Sequence, residues 1–247
     1  MDNNQKDFIF GIRAVIEAVE SGKTIDKVLV KTGLTGELVK DLYKTISDYK
    51  VPMQQVPVEK IERITKKNHQ GVLAFLSAVE FYDIDTIVSG LFEQGNNPFI
   101  VVLDQITDVR NLGSIIRSAE CAGAHALLVP TKGSARIGAD TAKTSAGALY
   151  HLPICRTTSM VNTIKELKKS GLQIICATEK ADGNYTDIDM SLPLALVLGS
   201  EETGIANDIL RLGDSFARIP IMGKIQSLNV SNAASVLLYE VVRQRSE

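Results

Sequence analysis

Three short segments of this 247-residue chain carry residues whose types and spacing could do chemistry. The first, Leu103-Asp104-Gln105-Ile106-Thr107-Asp108-Val109-Arg110-Asn111-Leu112-Gly113-Ser114-Ile115-Ile116-Arg117, reads as a strand end, a polar loop and a helix start. Ligands of open α/β sheets bind beyond such strand ends. Gly113 permits close backbone approach, and Arg117, one turn later, shares its helix face. A guanidinium near a helix start opposes the helix dipole, which favours a specific task over plain solvation; a solvated surface arginine is the competing explanation. The second segment, Leu196-Val197-Leu198-Gly199-Ser200-Glu201-Glu202-Thr203-Gly204-Ile205, is an apolar strand running into a small-residue turn with two acids. Its G-x-E-x-x-G spacing resembles a phosphate-binding glycine loop only loosely, because two carboxylates would repel a pyrophosphate. They would tolerate a cationic ligand such as a sulfonium, and they equally suit an acidic helix N-terminus. In the third, Ile219 to Ala234, a strand ends at Pro220 and a polar loop leads into a long apolar helix. Ser227, Asn229 and Ser231 stand at that start, and helix capping accounts for one of them but not for all three.

The elements that must hold these loops can be read from periodicity. Ile12, Val15, Ile16 and Val19 repeat at helical spacing, with Gly22 placed to stop the helix. Leu38, Leu42, Ile46 and Tyr49 mark a second helix, ended before Pro52, and β-type runs lie at 27–30, 53–56 and 71–79. Residues 1–79 are therefore expected to form a small α/β unit. A short helical stretch reaches Phe92, and Gln94-Gly95-Asn96-Asn97-Pro98 is a breaker cluster, so residues 80–98 are expected to form the linker. From residue 99 to 247 strands and helices alternate. Apolar runs at 99–103, 126–129, 172–177 and 194–198 suit a parallel sheet covered on both faces. Between them, Leu112, Ile115, Ile116 and Ala119 form one helical stripe. Ile164 and Leu167 mark another helix, with Asn162 as its expected cap and Gly171 as its stop, and Val230 to Val242 the last.

Composition excludes several classes. Hydrophobic residues make up 45% and charged residues 23%, as in a soluble globular protein. No apolar run nears the ~20 residues of a membrane span, and Met1 to Asp7 lacks the apolar core of a signal peptide, so a cytoplasmic protein is expected. Cys121, Cys155 and Cys176 are few and far apart, against a disulfide framework or a zinc site; each is expected to be a small buried hydrophobe. His69, His125 and His151 are likewise scattered, and no metal site is expected. Net charge is −2. Residues 1–79 hold 12 basic and 10 acidic side chains against 15 and 19 in the rest, so any RNA contact must come from local patches. No G-x-G-x-x-G follows the 99–103 run, which disfavours a dinucleotide enzyme.

Taken together, the three segments resemble the motifs of the SpoU/TrmH family of the SPOUT superfamily of RNA methyltransferases. Asn111, Gly113 and Arg117 match its N-x-G-x-x-x-R. Gly199, Ser200, Glu201, Gly204 and Ile205 match G-[SN]-E-x-x-G-[LI]. Ile219, Pro220, Gly223, Ser227, Leu228, Asn229, Val230 and Ser231 match the third. Phe10 to Val15 and His69 to Val72 resemble the small RNA-binding domain of many members. Asn232 stands where the family has a small apolar residue, and Ile221 where methionine is frequent. The resemblance implies an α/β protein whose C-terminal SPOUT domain has a parallel sheet and a deep trefoil knot and forms a homodimer. It implies S-adenosylmethionine as cofactor, held near Thr178, Gly199, Ile219, Ile221 and Leu228, and an active site of Asn111, Arg117, Glu201, Ser227 and Asn229. The subgroup it most resembles methylates a guanosine ribose 2′-oxygen of 23S rRNA, with a tRNA guanosine, an rRNA adenosine or a non-catalytic RNA-binding paralogue as alternatives. In family accounts the residue at Arg117 is the base. A guanidinium is very hard to deprotonate, so stabilising charge on the ribose oxygen is the physically simpler role. Arg13, Lys66, Lys67 and Gln70 are the candidates for RNA contact in the first unit; the two lysines equally suit a solvated pair, and His69 a structural histidine.

Overall fold

The computed structural model describes residues 8–225 and 227–246. The chain forms two compact units, one built on residues up to Glu80 together with Arg136–Ala139, the other on Phe81–Ala135 and the chain from Asp140 onward. The first runs β1 (Phe8–Phe10), α1 (Ile12–Glu20), β2 (Ile25–Lys31), α2 (Glu37–Asp48), β3 (Met53–Val56), α3 (Val58–Glu62) and β4 (Val72–Leu76). Its sheet has the order β1-β4-β2-β3, with only β2 and β3 parallel. The helical repeat of Ile12, Val15 and Val19 packs with Val39, Leu42 and Ile46 against Val28 and Val30. Period-two alternation turns Leu29 and Leu73 to the other face, against Val56 and Ile61. α1 ends where Gly22 takes φ 79° and the Lys23 N–H reaches back to the Ala18 carbonyl at 3.0 Å. Arg136–Ala139 are built into this unit. Asp26, only 2% exposed, accepts the Ile137 N–H (3.4 Å) and faces Arg136 Nε at 3.8 Å, while the Arg136 guanidinium lies 3.7 Å over the Phe75 ring.

The second unit follows as α4 (Ile84–Glu93), β5 (Phe99–Asp104), α5 (Val109–Cys121), β6 (Ala126–Pro130), α6 (Ala139–Thr144), β7 (Ile154–Thr157), α7 (Met160–Lys169), β8 (Gln173–Ala177), β9 (Leu194–Gly199), α8 (Asn207–Leu210), β10 (Ser215–Ala217) and α9 (Val230–Arg245). Its six strands are all parallel, in the order β10-β8-β9-β5-β6-β7. The expected mixed α/β class with a buried parallel sheet is what forms. Ile100, Val101, Val102 and Leu103 of β5 are all fully buried. Ile100 and Val102 pack with Ile84, Val88, Ile164, Leu167 and Ile209 from α4, α7 and α8. α5 and α9 pack on each other, and α9 also on β9.

Three expectations change. α7 is capped by Ser159, not by Asn162: the Ser159 hydroxyl accepts the Asn162 N–H at 3.4 Å. Cys155 and Cys176 are buried, which pushes their thiols up to about 12, but Cys121 is exposed because it falls off the Leu112–Ala119 stripe at the end of α5. The strand before Pro220 stops at Ala217, and Arg218 makes only an isolated bridge to Asn184. Among the described residues no helix is long and apolar enough to cross a membrane.

Candidate active site

Because the six strands run one way, their carboxyl ends share one edge of the sheet. The central neighbours β5 and β9 end in register, Asp104 opposite Gly199. The chain leaves β5 towards β6 and β7 on one side of the sheet, while β8 and β10 lie on the other side of β9. Such a switch point opens a crevice beyond the strand ends.

Local chemistry fixes each loop there. Asp108 caps α5, its Oδ1 accepting the N–H groups of Arg110 (2.8 Å) and Asn111 (2.9 Å), so Asn111 stands in the first turn. Gly113 meets Thr144 of α6: a Cβ there would stand 2.0 Å from Thr144 Oγ1. The close approach anticipated at Gly113 is thus to a protein helix. The loop after β9 closes on itself, with Ser200 and Gly204 exchanging backbone hydrogen bonds (3.2 and 2.9 Å) and Gly204 at φ 68°. A Cβ on Gly199 would come within 2.2 Å of the Gly204 carbonyl carbon, so only glycine fits. Asp104, 5% exposed, ties the far end of the loop by accepting the Ala206 N–H at 2.8 Å. Sequence reasoning assigned Asp104 no role; its signal was an acid ending an otherwise apolar strand.

Three of the expected residues converge on one carboxylate oxygen. Glu201 Oε1 accepts from Asn111 Nδ2 (3.2 Å), from Asn229 Nδ2 and from the Val230 N–H (3.2 Å). Asn229 Nδ2 also donates to Asn111 Oδ1 at 3.1 Å. Asn229 caps α9, its Oδ1 accepting the Ser231 N–H at 2.9 Å. Both Asn229 Nδ2 hydrogens are therefore committed, whereas Asn111 keeps one free and Glu201 keeps Oε2. Arg117, two turns along α5 from Asn111's end of the helix, is exposed and has no ion pair or hydrogen bond among the described residues. Ser227 is exposed and is not joined to this cluster by any hydrogen bond among those residues.

Of the five positions expected at the cofactor, Thr178 follows β8, Gly199 ends β9, and Ile219, Ile221 and Leu228 lie between β10 and α9; β10, β8 and β9 are neighbours in the sheet. Thr178 is half-buried, and its N–H donates to the Ala217 carbonyl at 3.0 Å. Ile219 is half-buried, and Ile221 and Leu228 are exposed, as are Met222 and Ile225 between them. In the N-terminal unit Gln70, at φ 52°, accepts the Ile12 N–H with Oε1 (3.1 Å), so it serves the start of α1. Lys66 and Lys67 are exposed in the preceding turn, and His69 is held by the Gly71 N–H on its Nδ1 (3.0 Å). Arg13 lines a groove of about 510 Å³ shared with Glu17, Glu20, Asp41, Lys44 and Asp48, a surroundings richer in carboxylates than in cations.

Comparison with known proteins matches both units. The model of the SpoU rRNA methylase family covers residues 98–239, and that of the RNA 2′-O ribose methyltransferase substrate-binding domain covers 8–82. A Staphylococcus saprophyticus protein named as a TrmH family tRNA/rRNA methyltransferase is 35% identical over 96% of this chain and 96% of its own. Bacillus subtilis YacO, named likewise, is 32% identical over 99% and 98%. Among solved structures, the SpoU methyltransferase AviRb from Streptomyces viridochromogenes, in complex with the cofactor AdoMet, superposes with a TM-score of 0.61 at 28% identity, covering 97% of this chain and 90% of that one.

Proposed function

Since this chain belongs to the SpoU rRNA methylase family, we propose that it transfers a methyl group from S-adenosylmethionine to the ribose 2′-hydroxyl of a guanosine in 23S rRNA. The observation that carries this reading is the meeting of Asn111, Glu201 and Asn229, from loops far apart in sequence, at one edge of the parallel sheet. The residues at the expected cofactor positions suit such a donor. Among the described residues the backbone groups of Ile219, Ile221 and Leu228 engage no hydrogen bond, and exposed apolar side chains accompany them, as an adenine ring with polar edges requires. Bound there, S-adenosylmethionine supplies a methyl group already activated by its sulfonium charge. What remains for the protein is positioning.

Asn111 offers one N–H and Glu201 one carboxylate oxygen toward the crevice, a donor and an acceptor able to orient a sugar hydroxyl. Arg117, with no internal partner among the described residues, is placed to bind the neighbouring phosphate and to stabilise negative charge on the ribose oxygen. Ser227 is assigned to the same sugar, and Thr178, Gly199, Ile219, Ile221 and Leu228 to the cofactor. Lys66, Lys67, Gln70 and Arg13 of the N-terminal unit supply RNA contacts, with Arg13 the weakest candidate because carboxylates surround it. The reading also includes threading of the segments after Gly199 and Ile219 into a trefoil knot, a homodimer, and a cytoplasmic place of action.

Radiolabelled methyl donor, offered with 23S rRNA fragments, 16S rRNA and total tRNA in parallel, tests the reading, followed by nucleoside mapping. Label in 2′-O-methylguanosine of the 23S fragments is expected. The relatives named tRNA/rRNA methyltransferases favour tRNA as the second substrate class, and label confined to tRNA, or to an adenosine, would replace the first. No label in any RNA would leave a binding paralogue.

A further inference from the structure

We infer that Ser118, Ser231 and Ser235 are positioning residues of the methyl-transfer site: three serines, linked through two hydroxyls and the Ser231 backbone, that hold the Asn229 amide and tie it to the helix bearing Arg117. The inference rests on the proposed methyl transfer.

The relay has a direction. Ser231, 8% exposed, donates both its N–H (2.9 Å) and its Oγ–H (2.6 Å) to Asn229 Oδ1. An asparagine amide fits its density of neighbours in two orientations, and only hydrogen bonding separates them. With two donors on Oδ1, only Nδ2 can face Asn111 Oδ1 and Glu201 Oε1, as it does. Reversed, Oδ1 would confront a carboxylate oxygen and Nδ2 would confront two donors. The Ser231 hydroxyl thus adds a second donor to the backbone N–H on Oδ1 and, with the two acceptors on Nδ2, holds the amide in the orientation that settles which groups of Asn111 and Glu201 stay available to a substrate.

The relay then crosses to α5. The Ser235 hydroxyl donates to the Ser231 carbonyl at 2.9 Å, which uses its single proton. The 2.8 Å contact between Ser235 Oγ and Ser118 Oγ must then be donated by Ser118. Ser118 directly follows Arg117. α5 and α9 pack on each other, and both helices carry fully buried apolar side chains, Ile115 on one and Leu237 and Leu238 on the other. Apolar packing is non-directional, so it tolerates slip between the helices. A hydroxyl pair does not, and it sets the register of Arg117 against Asn229.

The test uses the full chain and an RNA that the wild type methylates. Ser231→Ala, which removes one of the two donors on Asn229 Oδ1, is expected to lower kcat by about three- to tenfold, the scale of one neutral hydrogen bond, with KM for S-adenosylmethionine and RNA within about twofold of wild type. Ser118→Ala and Ser235→Ala each lower kcat by about three- to tenfold, the scale of one neutral hydrogen bond. The double variant is no worse than Ser235→Ala alone, because Ser118 acts only through its bond to Ser235. Side-chain amide NMR gives a readout that simple destabilisation would not move. The Asn229 Nδ2 protons are expected to be dispersed and slow to exchange in the wild type, and averaged in Ser231→Ala at a temperature where the backbone spectrum is intact. Unchanged Asn229 resonances in Ser231→Ala, a kcat within twofold of wild type, or multiplicative losses in the Ser118/Ser235 pair would overturn the inference. A wild type that methylates no RNA would instead defeat the methyl-transfer reading, and the Asn229 resonances would still decide the amide lock.

Discussion

Replacing Gly113 by alanine separates site geometry from stability. The new Cβ would stand 2.0 Å from Thr144 Oγ1, 2.6 Å from Thr144 Cβ and 2.9 Å from the Thr144 carbonyl carbon. Rotating the threonine side chain relieves only the first contact. Carbon–carbon contacts settle at about 3.5–4.0 Å, so α5 and α6 must part by roughly 1 Å. Overpacking of this kind costs about 1–3 kcal/mol, offset by about 1 kcal/mol that alanine gains over glycine inside a helix. The net loss of stability is therefore small, about 0–2 kcal/mol on those two figures. The site is less forgiving. Asn111, two residues before Gly113, reaches Glu201 and Asn229 at 3.2 and 3.1 Å, and a 1 Å displacement takes both beyond hydrogen-bonding range. Misplacement on that scale costs about 100-fold in rate. Single-turnover methyl transfer and thermal melting on the same preparation measure the two effects. Adding Thr144→Gly removes the 2.0 and 2.6 Å contacts and should restore about tenfold of the lost rate, taking the same scale of misplacement. A Gly113→Ala protein that transfers methyl within threefold of wild type would refute the claim that this helix contact sets the position of Asn111.

Arg117→Ala is expected to abolish methyl transfer while calorimetry finds S-adenosylmethionine affinity within about twofold of wild type, since removal of one charge-stabilising group costs about 10²–10³; retained activity would exclude both the base and the electrostatic role. Burial, and secondarily the nearby Arg245, hold His125 below its ordinary value of 6.5, and its Nδ1 accepts the Phe99 N–H at 3.0 Å. The unfolded chain therefore binds this proton more readily, so the histidine's contribution to stability is complete above pH 6.5 and declines as pH falls below it. Melting temperatures of His125→Asn should slope less with pH in that window, and identical slopes would remove His125 from the account. Arg245 donates to the carbonyls of Asn97 (2.9 Å), Pro98 (3.3 Å), Leu192 (2.7 Å) and Met190 (3.4 Å), anchoring the end of α9. Lysine cannot reproduce that planar fork, so Arg245→Lys is expected to lose about 1.5–3 kcal/mol in urea unfolding, the worth of a charged hydrogen bond; an unchanged midpoint would show that the fork contributes nothing.

The parts of the fold visible in sequence are those where burial imposes a pattern. β5, β6, β8 and β9 are apolar but for end residues such as Asp104 and Gln173 because both faces are covered, and α1 and α5 show stripes because one face is. β7 escaped, and β10 ends earlier than its sequence suggests, because they are the sheet's edges, four and three residues long, and an edge needs little apolar sequence. β1 and α3 escaped for a related reason: one is three residues long, and the other buries only Ile61. At the site, residue types could suggest Asn111, Glu201 and Asn229, but not that all three address one oxygen, because that depends on Asp104 meeting Gly199 across β5 and β9. Nor could they reveal Ser118 and Ser235, which are 117 residues apart and unremarkable in composition.

Net charge is a poor guide to this chain's substrate for the same reason. A glutamate at the site proposed to take RNA looks unfavourable when charges are counted along the sequence. In the fold, Glu201 Oε1 is surrounded by three N–H groups, so much of its field is spent inside the protein. Arg117 has no such partner among the described residues, and its field is directed outward. The opposite holds at Arg13, whose charge is offset by Glu17, Glu20, Asp41 and Asp48 along its groove. Two arginines of equal formal charge thus differ in what they can offer a polyanion, and the difference lies in which neighbours the fold supplies. Attraction for RNA then resides in individual unpaired cations, whose contribution scales with the few counterions each releases, and a formal charge of −2 is no obstacle to it.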